Sequence, residues 1–143
     1  MVANCNLLRD NRDMARTFFR ILLALVYFVA GVLHLKSPAG FLAITPAWVP
    51  VPEYVVAFTG VAEIAGAAGL LIPRVRRAAG IGLALYALCV WPANFNHAFN
   101  DLTIGDDNLS WWYHGPRLAF QPVFIWLALW VGDVIQWPSR ETN

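Results

Sequence analysis

Charge is what this chain has least of. Asp, Glu, Lys and Arg together make up 13% of its 143 residues, about half the share usual in a soluble domain. A water-soluble fold with so few charges could not cover its own surface, so a soluble globular enzyme is excluded first. Cysteine is equally thin. Cys5 lies in a polar stretch and Cys89 inside an apolar run, with no CxxC, which gives no basis for a dithiol redox centre or a thiolate-held metal. His34, His97 and His114 lack HxxxH or HExxH spacing, so no pair shares a helical face and no metal is expected. With a net charge of +1 and no basic stripe, nucleic acid is not an expected partner.

What the chain does have is apolar length. Apolar residues reach 59% and come in blocks of roughly 20, enough to cross about 30 Å of hydrocarbon as helix. The expected fold is an all-α membrane protein, a four-helix transmembrane bundle with a Pro-rich interfacial or re-entrant segment after the first helix. Residues 1–15 form a polar, loose head. Residues 16–138 form a single transmembrane domain, with spans near 17–35, 54–72, 78–98 and 117–137, and 139–143 a short tail. The first run is too long for a signal-peptide core and lacks a small-x-small cleavage site, so it reads as a retained span. Pro38, Pro46, Pro50 and Pro52 exclude a continuous helix from 36 to 53, yet Phe41, Ile44 and Trp48 keep that stretch at the membrane surface or in the bundle mouth.

Basic residues set the expected orientation. Arg9, Arg12, Arg16 and Arg20 precede the first span, and Arg74, Arg76 and Arg77 join the second to the third. The two opposite connections carry Lys36 and Arg117, and Arg140 falls with the larger set. Both ends are therefore expected on the cytoplasmic side.

Polar residues inside the spans are the candidates for function. Glu63 lies about nine residues into its span, roughly 13 Å deep, near the midplane. Tyr27, Tyr86, Cys89 and Trp126 fall at similar depth. His34, Asn94, His97, Arg117 and Gln121 form a higher layer at the outer mouth. Helical spacing puts Tyr27, Gly31 and His34 on one face, and Gly60, Glu63 and Ala67 on another. Small neighbours let a second helix approach closely, and an acid is best hidden there. Four such stripes, if they meet, line a cavity open to the outside. Each residue also has a plainer reading. Glu63 either binds or relays protons, or it joins helices. His34 is equally an interfacial packing residue, and Arg117 one that snorkels to headgroups. Asn94 and Gln121 would satisfy backbone groups freed by Pro92 and Pro122. Cys89 reads as inert packing, Tyr27, Tyr86 and Trp126 as core filler. Asp133 is expected to reach the inner headgroups or pair with a basic residue there.

The ordered set GVLHLKSPAGFLAITPAWVPVP, TGVAEIAGAAGLLIPRVRRAAGIGL, WPANFNHA and RLAFQPVFIWLALW resembles the DoxX-like family of small four-span bacterial membrane proteins. The likeness covers residues 27–131. Matching positions are His34, Pro38, Pro46, Glu63, Pro92, Asn94, Arg117 and Gln121. The loop of 98–116 looks longer than the family's, and RLAFQP lacks its more usual Pro between Arg and Gln. The resemblance implies a multi-pass protein of the bacterial inner membrane. It also implies a link to redox systems, since some relatives look like membrane subunits of quinone-linked sulfur oxidation.

Three functions follow as expectations. The first is a redox-associated membrane subunit holding a quinone or similar apolar ring in the outer-half cavity. Its candidate ligand and proton residues are Glu63, Tyr27, His34, Asn94, His97, Arg117 and Gln121. With no haem-ligand pair, flavin fingerprint or other complete catalytic motif, electrons would come from a redox partner protein. The second is an accessory or assembly protein whose polar stripes hold the bundle together without a ligand. The third is a small transporter, which with four spans would need a homo-oligomer.

Overall fold

The computed structural model describes residues 2–100 and 111–136, with side chains described from residue 11 onward. Among these residues every regular element is a helix: α1 (Val2–Lys36), α2 (Ala39–Ile44), α3 (Pro52–Leu71), α4 (Arg76–Phe99) and α5 (Trp111–Val131). Three of them are long and apolar enough to cross a membrane, over Asn11–Lys36, Pro52–Leu71 and Arg76–Phe99. α5 is as long, but His114, Arg117 and Gln121 make its first half polar.

Prolines and their neighbours set the helix ends. α1 stops at Lys36, where Ser37 precedes Pro38, because the residue before proline is pushed out of the α region. Pro38 then sits at the N-cap of α2. Thr45 closes α2 in an extended conformation, its backbone N–H bonded to Leu42 O and its hydroxyl donating to Phe41 O at 2.8 Å. Pro52 occupies the first turn of α3, where its missing N–H costs nothing. Just before it Val51 is left-handed, at φ 43°, an unfavourable setting for a β-branched residue that the surrounding turn imposes.

Several boundaries differ from the sequence reading. The head expected to be loose continues α1 back to Val2, since 2–30 contains neither proline nor glycine to interrupt it. α5 begins at Trp111 rather than near 117. Gly115 and Pro116 look like breakers in a soluble chain, yet prolines persist in membrane helices when neighbours satisfy the freed carbonyls. It ends at Val131 because Gly132 and a left-handed Asp133 (φ 59°) turn the chain, with Val134 N donating back to Leu129 O at 2.9 Å. Residues 101–110 and 137–143, hence the Gly-Asp-Asp loop, Arg140 and the tail, lie outside the described residues.

The helices pack as two pairs, α1 on α3 and α4 on α5, joined through α3 against α4. Glycine sets the tightest crossings. A Cβ on Gly60 would stand 2.9 Å from Gly31 O and 2.8 Å from the His34 Cβ. A Cβ on Gly80 would stand 2.8 Å from Ala128 O, so α4 and α5 touch backbone to backbone. Leu23, Tyr27, Leu70, Leu83, Ala128 and Val131 fill the centre. The polarity of the whole is inverted. Phe18, Leu25, Phe58 and Leu85 are exposed, whereas Arg20, His34, Glu63, Asn94, His97, His114 and Gln121 are buried. Such a surface suits hydrocarbon and not water. The chain is a helical membrane protein.

At the end of the bundle formed by the α3–α4 turn and the C-terminus of α5, Asp133 gathers three guanidinium groups. Arg16 reaches its Oδ1 at 3.0 Å, while Arg20 and Arg76 each reach Oδ2 at 3.2 Å. The pairing expected for Asp133 is thus with arginines from α1 and α4.

Candidate functional site

Glycine brings the site together. Where α1 and α3 cross at Gly31 and Gly60, the next residues along each helix, His34 and Glu63, are driven face to face. The His34 Nδ1 lies 3.0 Å from Glu63 Oε2 and 2.9 Å from Ala30 O. One N–H cannot point at both. It is aimed along its own helix at the Ala30 carbonyl, and Oε2 stays a close polar contact without an aligned hydrogen bond. Glu63 is 3% exposed, so its carboxylate depends on what immediately surrounds it. Tyr86 and Tyr27 both interact with it, their rings meeting edge to face at 6.1 Å.

The imidazole of His34 is sandwiched from the other side by Phe41, stacked at 3.7 Å between centroids. Phe41 belongs to α2, which Asn96 holds by donating to Ile44 O at 3.0 Å. The proline-rich connection therefore tucks back into the bundle mouth, with Ile44 buried.

A second polar group hangs from α4 and α5. Asn94 donates to the Gln121 side-chain oxygen at 3.3 Å, and the Gln121 amide donates to Ala87 O at 2.6 Å. Pro92 has no N–H for the Leu88 carbonyl and distorts the turn containing Ala87. Gln121 thus bonds to the carbonyl next to the one that Pro92 frees, one residue away from the group that the plainer reading had it satisfy. Arg117, half-buried, donates to His97 Nδ1 at 2.6 Å and lies over the Tyr113 ring at 5.7 Å. It points into the protein, not out to headgroups. Since a guanidinium only donates, Nδ1 must accept.

Between these groups lies a cavity of about 860 Å³, with walls from α1, α3, α4, α5 and the α2 connection. Tyr27, His34, Glu63, Asn94, Arg117 and Gln121 all line it. His97 does not, but it backs Arg117. Apart from Thr45 and Thr59, the remaining wall is apolar, including Phe41, Ile44, Trp48, Val56 and Phe124. Residues from each of the four polar stripes inferred from spacing line this cavity, His97 excepted. Cys89 also reaches the cavity wall, and Trp126 stacks on Trp130 at 5.6 Å instead.

Sequence reasoning passed over two contributors. Tyr86 reads as filler in the sequence, yet it interacts with the Glu63 carboxyl. His114 is 3% exposed, with neither ring nitrogen hydrogen-bonded among the described residues. Its ring meets His97 edge-on at 4.6 Å. The two histidines stand seventeen positions apart on different helices, so no helical spacing signals the pair. Among the described residues no group of three His, Cys, Asp or Glu side chains comes together to hold a metal.

A family model described as a domain of unknown function (DUF8561) matches residues 23–132. No curated protein and no solved structure matches the chain.

Proposed function

The chain belongs to the DUF8561 family, a domain of unknown function, and we propose from its own residues that it is a four-span membrane protein holding a flat apolar ligand, such as a quinone, in its central cavity. In this reading α5 is the fourth crossing, both ends face the cytoplasm, and the cavity opens to the outside of a bacterial inner membrane. The likeness to the DoxX-like family belongs to the same proposal.

One observation carries it: a His–carboxylate pair, His34 and Glu63, stands in the wall of a large and mainly apolar cavity. Ligand sites have this make-up, an apolar hollow with a few convergent polar groups that fix orientation. The cavity volume also falls within the roughly 300–1,000 Å³ usual for such sites. The neighbouring aromatic rings Phe41, Tyr86 and Phe124 offer faces for a planar molecule. Arg117, Asn94 and Gln121 are placed to hold a carbonyl oxygen at the opposite rim. Reduction of a quinone to a quinol takes up two electrons and two protons. Glu63 and His34 can pass protons to a bound oxygen, and the electrons would come from a partner protein.

The test is mass spectrometry of small molecules extracted from gently purified protein, wild type against Glu63→Gln. We expect an apolar ring compound in the wild type and about tenfold less in the variant, the size of a lost charge-assisted hydrogen bond. If both carry bulk phospholipid alone, the ligand reading fails.

The bonds from Gln121 to Ala87 O and from Asn94 to Gln121 favour a second reading for that half of the site, in which these amides hold α4 and α5 together in an accessory protein without a ligand. Under it, Glu63→Gln lowers stability and no retained compound changes.

A further inference from the structure

At the other end of the molecule, charges do not balance. Arg16, Arg20 and Arg76 converge on the carboxylate of Asp133, so that among the described residues of this cluster three positive charges meet one negative charge. Two of the guanidiniums are also anchored to helix ends. Arg20 donates through Nε to Val131 O at 2.8 Å, and Arg76 through Nε to Leu70 O at 3.0 Å. Among the described residues Arg16 has no such anchor; its guanidinium stands over the Trp130 ring at 5.4 Å. The cluster is partly open, with the Asp133 side chain 34% and that of Arg16 22% exposed.

Directly beside it runs an apolar strip on α1 and α5. Phe19 packs on Trp130 at 6.0 Å, Trp126 stacks on Trp130, and Phe18, Phe19 and Trp126 are exposed along it. Surplus guanidinium charge recognises a phosphate, and an adjoining aromatic and aliphatic strip recognises an acyl chain. We infer that the Arg16–Arg20–Arg76 cluster is a binding site for the phosphate headgroup of an anionic phospholipid, whose chain lies along Phe19 and Trp126. A free phosphate would satisfy the same guanidiniums, but it would leave the strip unused. The site is separate from the cavity and does not depend on what the cavity holds.

Native mass spectrometry of the protein released from micelles doped with phosphatidylglycerol or phosphatidylcholine tests the inference. The wild type should retain phosphatidylglycerol over phosphatidylcholine. Arg16→Gln should reduce that preference about fivefold, the usual weight of one interfacial arginine. Its melting temperature in phosphatidylcholine nanodiscs should stay that of the wild type, because Arg20 and Arg76 keep their backbone anchors. Arg16→Lys should recover part of the preference. Equal retention of the two lipids by the wild type overturns the inference, whatever the variants do. If millimolar inorganic phosphate displaces phosphatidylglycerol, the site belongs to a free anion and the lipid assignment falls. Glu63→Gln should leave lipid retention unchanged, so a failure here is distinguishable from a failure of the cavity ligand.

Discussion

A carboxylate at the centre of an apolar bundle has to be surrounded by groups that tolerate it, and Glu63 shows how three helices contribute them. His34 and Tyr27 come from α1 and Tyr86 from α4, while Glu63 itself sits among small residues of α3. Gln121 acts differently, donating to the Ala87 carbonyl one residue before the one that Pro92 frees. Replacing it separates the two demands on this half of the cavity. Gln121→Ala leaves the Asn94 amide without its side-chain acceptor and removes the side-chain donor to Ala87 O, and we expect a loss of about 1–3 kcal/mol, the usual cost of orphaning a buried polar group. Thermal unfolding in detergent, followed by tryptophan fluorescence, measures it. Retained ligand should fall less than in Glu63→Gln if Gln121 is chiefly a structural donor. An equal fall would place Gln121 in contact with the ligand. His34 shows what a residue-level reading omits. Its depth and face were legible, but stacking on Phe41 depends on how α2 folds back, and the sequence between two prolines does not fix that.

Among the elements, the close crossing of α1 and α3 does most to build the site, and it rests on two missing side chains. Any Cβ at Gly60 meets the Gly31 carbonyl, which cannot yield, so α3 would have to move away from α1. Gly60→Val should cost about 1–3 kcal/mol, as overpacking does. It should also draw Glu63 away from His34 and reduce ligand retention as strongly as Glu63→Gln. A disulfide introduced across α1 and α3 below the crossing would form in wild type and less readily in the variant. This crossing was legible in outline, because Gly31 with His34 and Gly60 with Glu63 have helical spacing. The three most apolar helices were legible for the simplest reason, as uninterrupted apolar runs of bilayer length. α5 was legible only in part. Its helix extends back through Pro116 to the Trp-Trp-Tyr triplet, where sequence punctuation points to a loop, and it stops early at Gly132 and Asp133. The His97–His114 contact and the Arg117–His97 bond were hidden for a related reason. They depend on the path of a connection, and connection paths have no periodicity to read.

Over the whole molecule, polarity runs inside out, and the two polar ends differ in kind. One end is a cavity framed by amides, imidazoles and a carboxylate. The other is a knot of arginines around Asp133. That asymmetry bears on how the chain sits in a bilayer, since arginine-rich ends stay on the cytoplasmic side. Three helices have the length and hydropathy to cross, and the position of α5 decides between an odd and an even count. α5 packs along α4 through Gly80 and Gly132 and presents Val123 and Trp126 outward, as a lipid-facing span would. Its polar residues, His114, Arg117 and Gln121, face α4 and the cavity. Low average hydropathy is therefore compatible with crossing, because the polar side is shielded by protein. If α5 crosses, green fluorescent protein fused after residue 143 should fluoresce and alkaline phosphatase at the same point should be inactive. Phosphatase inserted within 101–110 should be active. An active phosphatase at both points would mean three crossings, with α5 lying on the outer surface. The arginine cluster would then be split across the bilayer, which its four-residue geometry does not allow, so that outcome would overturn the packing of α5 as well as the topology.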